Sequence, residues 1–220
     1  MPGARLVSIQ VGLPRSLGDA LASDPMDQPW TTGFHKSPVE GPIRLGPTNL
    51  AGDGQADLRV HGGPDRAVLG YSAGHYPRWN RELQRDDLTG GAFGENLTVE
   101  GLAEEDVCIG DAFEVGETQV QVSQPRGPCW KLARRWRLPD LPARVLRTGR
   151  TGWYFRVLRE GLLEAGQRVA LVERPFPEWT IARVNEVAYQ TRDPQAAARL
   201  AGCPLLSPGW RDRFEEMSSP

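Results

Sequence analysis

The chain has 220 residues, enough to fill one core and a small appendage but not two full-sized domains. Its 26 basic and 28 acidic residues leave a formal charge of -2, which excludes an overall electrostatic footprint for nucleic acid or an acidic membrane surface. With 25 Gly and 19 Pro it is poorly suited to a helical bundle and well suited to strands joined by turns.

In chain order, the apolar pattern first predicts a strand over residues 4–11 and a short strand over 58–61 that ends at His61. Residues 71–83 predict a helix, because Trp79 and Leu83 stand four apart and Pro77 suits a helix start. Apolar runs at 107–109 and 112–115 predict strands, and strict alternation over 118–123 predicts one with a single buried face. Gly110-Asp111 and Gly116-Glu117 are the tight-turn signals between them. Further strands are expected over 151–161 and 168–172, and such short connections favour antiparallel pairing in a barrel or sandwich.

The pattern changes after Pro175 and Pro177. Ile181, Val184 and Val187 or Ala188 share one helical face, while Asp193-Pro194 and Ser207-Pro208 each pair a cap with a first-turn proline. Trp210, Phe214 and Met217 then form an apolar stripe. Three short helices are expected, too short to stand alone, so they must pack on the β domain or on a second copy of the chain. The expected organisation is a β domain over 1–177 and a three-helix domain over 178–220. No basic segment precedes an apolar run at the N-terminus and no apolar stretch approaches ~20 residues, so a soluble cytoplasmic protein is expected.

The three cysteines, Cys108, Cys129 and Cys203, are too few and too irregular for a disulfide framework or a paired-cysteine zinc site. Cys129 stands out. It lies in Gln124-Pro-Arg-Gly-Pro-Cys-Trp-Lys131, where two prolines order a loop at the end of the best strand and Arg126 and Lys131 flank the thiol. Nearby cations favour thiolate, the form that ligates metals or attacks electrophiles. A small apolar filler is the alternative for the same residue. A second segment, His61-Gly62-Gly63-Pro64-Asp65-Arg66, offers open backbone and an arginine to an anion, or is simply a tight turn. Lys36, the polar run holding Asp53 and Gln55, and the pair Glu95 and Asn96 after Gly94 extend the candidate set.

These motifs, taken in order with Gly110-Asp111 and Gly152-Trp-Tyr-Phe-Arg156, resemble the MOSC-domain family, and within it the YiiM-type proteins that stand alone and close with a three-helix domain. The resemblance runs along nearly the whole chain. It implies a β-barrel-like core and a molybdenum cofactor, a metal carried on molybdopterin, with Cys129 as the metal ligand. It also implies reduction of N-hydroxylated compounds, such as hydroxylaminopurines or amidoximes. Catalytic roles would fall to Cys129, His61 and Asp65. Cofactor binding would fall to Lys36, Asp53, Gln55, His61, Gly62, Gly63, Arg66, Glu95, Asn96, Gln124, Arg126 and Arg156. The sequence carries no flavin fingerprint or cysteine-rich cluster motif, so electrons are expected from a separate reductase. Nucleic-acid and membrane partners are not expected, and a homodimer through the helices is the expected assembly if there is one. The alternative function is a non-catalytic carrier of sulfur or of the cofactor through the same thiol.

Overall fold

The computed structural model describes residues 3–58 and 61–219. Its strands are β1 (Arg5–Val11), β2 (Arg15–Leu17), β3 (Trp30–Thr32), β4 (Ser37–Pro38), β5 (Ile43–Leu45), β6 (Val68–Ser72), β7 (Leu97–Glu100), β8 (Ala112–Val115), β9 (Thr118–Pro125), β10 (Trp153–Arg159), β11 (Gly161–Leu163) and β12 (Ala170–Glu173). Its helices are α1 (Tyr76–Leu83), α2 (Trp130–Trp136), α3 (Leu141–Thr148), α4 (Ile181–Glu186), α5 (Pro194–Ala201) and α6 (Pro208–Ser218). None of the described helices is long and apolar enough to cross a membrane.

Eight strands form one mixed sheet in the order β12-β8-β9-β10-β6-β7-β1-β4, curled into a half-barrel. The pair β6 and β7 is parallel, because the chain crosses back through α1 between them. The other neighbours in this sheet are antiparallel, and β8 and β9 close through the expected turn at Gly116-Glu117. The alternation of β9 sends Val120 and Val122 into the core, but Gln121, Ser123 and Gln124 are also buried. They are covered by polar chain rather than by solvent. Ser123 Oγ donates to Asp65 O at 2.6 Å, and Ser123 O accepts from Ser207 N at 2.9 Å.

Three expectations need correction. Residues 107–109 do not form a strand: Cys108 makes only an isolated bridge to Thr180, and the chain turns at once through Gly110, whose φ is +81°. The helix expected over 71–83 starts at Tyr76, since Tyr71 and Ser72 finish β6 and Ala73–His75 form a 3-10 turn. In the strand expected over 58–61, Leu58 lies in a turn and His61 in a bend, while residues 59–60 lie outside the described residues. The pattern reading also gave no account of α2 and α3, which occupy the arginine-rich stretch after Cys129.

The C-terminal helices appear where the cap signals place them. Thr180 accepts from Arg183 N, and Asp193 accepts from Gln195 N and Ala196 N. Their apolar faces join the barrel core instead of forming a separate one. Ile181, Val184, Leu200, Trp210 and Phe214 are buried in the same cluster as Leu6, Val107, Val120 and Phe155. Backbone bonds stitch the seam, from Ile181 N to Val107 O at 2.7 Å and from Ile109 N to Trp179 O at 2.9 Å. A second, smaller cluster of Tyr71, Tyr76, Trp79, Phe93, Leu132 and Val145 lies under α1, α2 and α3.

Candidate functional site

The loops at one end of the half-barrel line an open cavity with about 650 Å³ of non-atom space, part of it continuous with solvent. Cys129, His61, Lys36, Asp53, Gln55, Gly62, Arg66, Asn96 and Arg126 all line it, although they come from five separated stretches of sequence. Cys129 is half-buried and sits in extended conformation at the cap of α2, with its carbonyl accepting from Leu132 N at 3.1 Å. The other two thiols are held protonated in the core. Burial and the Asp111 carboxylate push Cys108 up to about 11, and burial raises Cys203.

Arg126 continues the line of β9. Its backbone N donates to Gly152 O at 3.1 Å, and its buried side chain donates through Nη2 to Phe93 O at 3.0 Å. Its Nη1 is buried with no hydrogen-bond partner among the described residues. A guanidinium N–H so placed is a donor waiting for an anion. His61 reports the same local field: burial lowers its pKa, and the cations of Lys131, Arg66 and Arg126 lower it further, with Asp57 opposing. The chain as a whole is slightly acidic, yet this cavity is cationic.

Lys36 and Asp53 form a buried ion pair on the wall, with side chains 7% and 0% exposed. Asp53 also accepts from Gly12 N at 2.8 Å and from Asn96 Nδ2 at 2.9 Å. Burial lowers the Lys36 pKa even so, against the opposing pull of Asp53 and, more weakly, Glu95. The amide of Asn96 is spent on the frame, since it also donates to Gln10 O at 3.2 Å and accepts from Leu69 N at 3.1 Å. It therefore positions Asp53.

The remaining sequence candidates stand apart from the cavity. Glu95 is fully buried behind it and accepts from Gly91 N at 2.6 Å, Phe93 N at 3.1 Å, Thr98 Oγ1 at 3.1 Å and the Tyr76 hydroxyl. Asp65 is paired with Arg156 at 2.7 Å, and Arg156 reaches on to Leu205 O at 3.0 Å, tying β10 to the C-terminal helices. Gly63, Asp65 and Gln124 line a separate neighbouring cleft, and Gln124 Oε1 accepts from Arg66 Nε at 3.3 Å.

Sequence reasoning missed Phe34 and Tyr154, both in the cavity wall. Tyr154 was legible in principle: Trp153 and Phe155 point into the core, so the residue between them faces the other way. Phe34 leaves its mark on Gly94, where a Cβ would come within 2.7 Å of the Phe34 ring. Beside the thiol, the exposed ring of Trp130 lies 5.6 Å from that of Trp30, with Arg134 over both. Among the described residues no group of three or more His, Cys, Asp and Glu gathers as a metal cage.

Residues 57–170 match the MOSC domain, and residues 179–217 match the YiiM-like three-helix domain. The chain is 46% identical to the YflK protein of Bacillus subtilis over 184 residues, 83% of each chain. It is 40% identical over 160 residues to a Gibberella moniliformis protein named a reductase, a match covering 71% of this chain and 28% of that one. The crystal structure of YiiM from Geobacillus stearothermophilus superposes with a TM-score of 0.81 at 38% identity, covering 98% of this chain and 100% of that one.

Proposed function

This chain belongs to the MOSC-domain family, which is linked to the molybdenum cofactor, and from that premise we propose that its cavity holds the cofactor through Cys129 and supports reduction of N-hydroxylated compounds. The observation that carries the reading is the half-buried Cys129 sharing one cavity with Arg126, whose buried Nη1 has no partner among the described residues. Soft sulfur suits molybdenum, and an unsatisfied guanidinium suits the phosphate of a pterin tail. The residues present fit the group.

Cys129 would ligate the metal. Arg126, Arg66 and Lys131 would hold the anionic tail, with the backbone at Gly62 and the Gln55 amide beside it. Asn96 would act through Asp53. When bound, the cofactor would supply the two-electron redox chemistry. Reduction of an N-hydroxy group consumes two electrons and two protons and releases an amine and water. Lys36 lies on the wall with a pKa lowered by burial, so its Nζ is a better acid than an ordinary lysine and would deliver a proton there. His61, also lowered, would stay neutral near pH 7 and orient the substrate by hydrogen bonding. Asp65, committed to Arg156, would serve the frame. Electrons would come from a separate reductase protein.

The test is expression in cells able to make the cofactor, followed by assay of bound molybdenum and pterin and of hydroxylaminopurine reduction with an artificial donor. Wild type is expected to carry metal and turn over. Cys129→Ala is expected to lose the metal while keeping its circular dichroism. Metal-free wild type indistinguishable from the variant would sink the reading, and bound metal without turnover would favour the carrier.

A further inference from the structure

A second cavity, with about 1210 Å³ of non-atom space that is partly open to solvent, lies where α1, α3 and α4 meet at the seam between the barrel and the C-terminal helices. Its walls include Arg150, which follows α3, and Asn185 on α4. Asn185 is 2% exposed and Arg150 9% exposed as whole residues, with the Arg150 side chain at 11%. Arg150 Nη1 and Asn185 Oδ1 each lack a hydrogen-bond partner among the described residues. The rest of each side chain is anchored. Arg150 lies 3.9 Å above the Trp79 ring and donates through Nη2 to Glu82 at 2.7 and 2.8 Å. Asn185 donates through Nδ2 to Thr151 Oγ1 at 2.9 Å and to Gly149 O at 3.4 Å, so its amide is docked on the residues that bracket Arg150.

The geometry points to a binding site for a small anion that also carries a hydroxyl or amino donor. A cationic donor and a neutral acceptor, both desolvated, both on residues of one cavity wall and not bonded to each other, ask for a ligand with the opposite pair. The anionic oxygen would meet Arg150, and the ligand's own O–H or N–H would meet Asn185 Oδ1. The exposed Arg78 at the rim adds a second positive charge, set against the exposed Glu105 carboxylate. Opposite it, Glu104 is already spent on His75 Nε2 at 2.7 Å and Gly152 N at 2.7 Å, so the wall keeps its fixed partners when the ligand enters. Inorganic or esterified phosphate and small hydroxy-carboxylates share this chemistry. The site does not depend on the reading of Cys129.

Calorimetric titration of the full chain near pH 7 with two probe pairs tests it. Phosphate keeps an O–H that sulfate lacks, and glycolate has the hydroxyl that acetate lacks. In at least one pair the hydroxyl-bearing member is expected to bind saturably and at least about tenfold tighter than its partner, because a buried acceptor left facing a bare oxygen rejects it. Which pair responds identifies the head group. The isosteric Asn185→Asp and the charge-preserving Arg150→Lys are each expected to weaken that binding about tenfold or more, while Arg126→Gln in the first cavity leaves it unchanged. Equal affinity within both pairs would overturn the proposal, as would the absence of saturable binding, which means a water-filled seam. So would binding lost in Arg126→Gln but kept in the seam variants. Should a seam variant fail to fold, the same probe comparison on Arg126→Gln still decides.

Discussion

Asp53 and Glu95 are both buried carboxylates near one end of the half-barrel, and Asn96 joins them, as neighbour of one and donor to the other. They use their oxygens differently. Glu95 turns back on its own loop and satisfies two backbone amides, a threonine and a tyrosine, so its charge is spent on holding the chain in place. Asp53 faces an amine across the cavity wall, and its charge regulates that amine. Burial alone does not separate a framework carboxylate from a working one. What separates them is whether the partners are amides of the same loop or a titratable group at the cavity.

The largest effect should come from Asp53→Asn, which strands the buried Lys36 ammonium. Breaking one side of a buried ion pair costs about 3–5 kcal/mol, readable by denaturant unfolding. The same change removes the charge that raises the Lys36 pKa, so the amine should be more often neutral and acylated faster by an amine-directed reagent. Glu95→Gln comes next. Its amide would present a donor to groups that are themselves donors, for a loss of about 2–4 kcal/mol. Lys36 labelling should change only slightly, because Glu95 is the weaker of the two charges acting on it. Equal acceleration in both variants would erase the distinction between the two carboxylates.

The smallest effect belongs to His35, at the edge of the same region. Burial, then Arg135 and Arg15, lower it from 6.5 to about 4. The unfolded chain therefore takes up this proton before the folded one does. His35 contributes stability that is complete above pH 6.5 and lost as pH falls toward 4. Exposure limits its size, so the expected result is a modest flattening of the acid limb of the stability curve in His35→Gln. Arg135→Gln should shrink the same loss by letting the imidazole titrate higher. An unchanged acid limb in both variants would count against the assignment.

Much of this was legible because the physics is local. Alternation marks β9, prolines order the loop bearing Cys129, and aspartate or serine before proline marks the C-terminal helices. The helices α2 and α3 were not legible: in α2, cationic side chains occupy four of the seven positions of Lys131-Leu-Ala-Arg-Arg-Trp-Arg137, and only Leu132 and Ala133 are buried. Nor could spacing tell Asp65 from Asp53. Both follow a glycine-rich turn, and only the three-dimensional arrangement sends one to Arg156 and the other to Lys36. The polar atoms at the second cavity were invisible for the same reason, since an unpartnered atom is a property of everything around it.

The common core of barrel and C-terminal helices also bears on how the protein is made. While the ribosome has delivered only the first 177 or so residues, Val107, Val120 and their neighbours lack the surface that covers them in the finished molecule. The nascent barrel must wait with that flank exposed, and so is open to chaperones and to aggregation until Trp179, Ile181 and Phe214 arrive. A stalled or clipped product ending there should be cleared quickly, leaving the cell with whole molecules rather than halves.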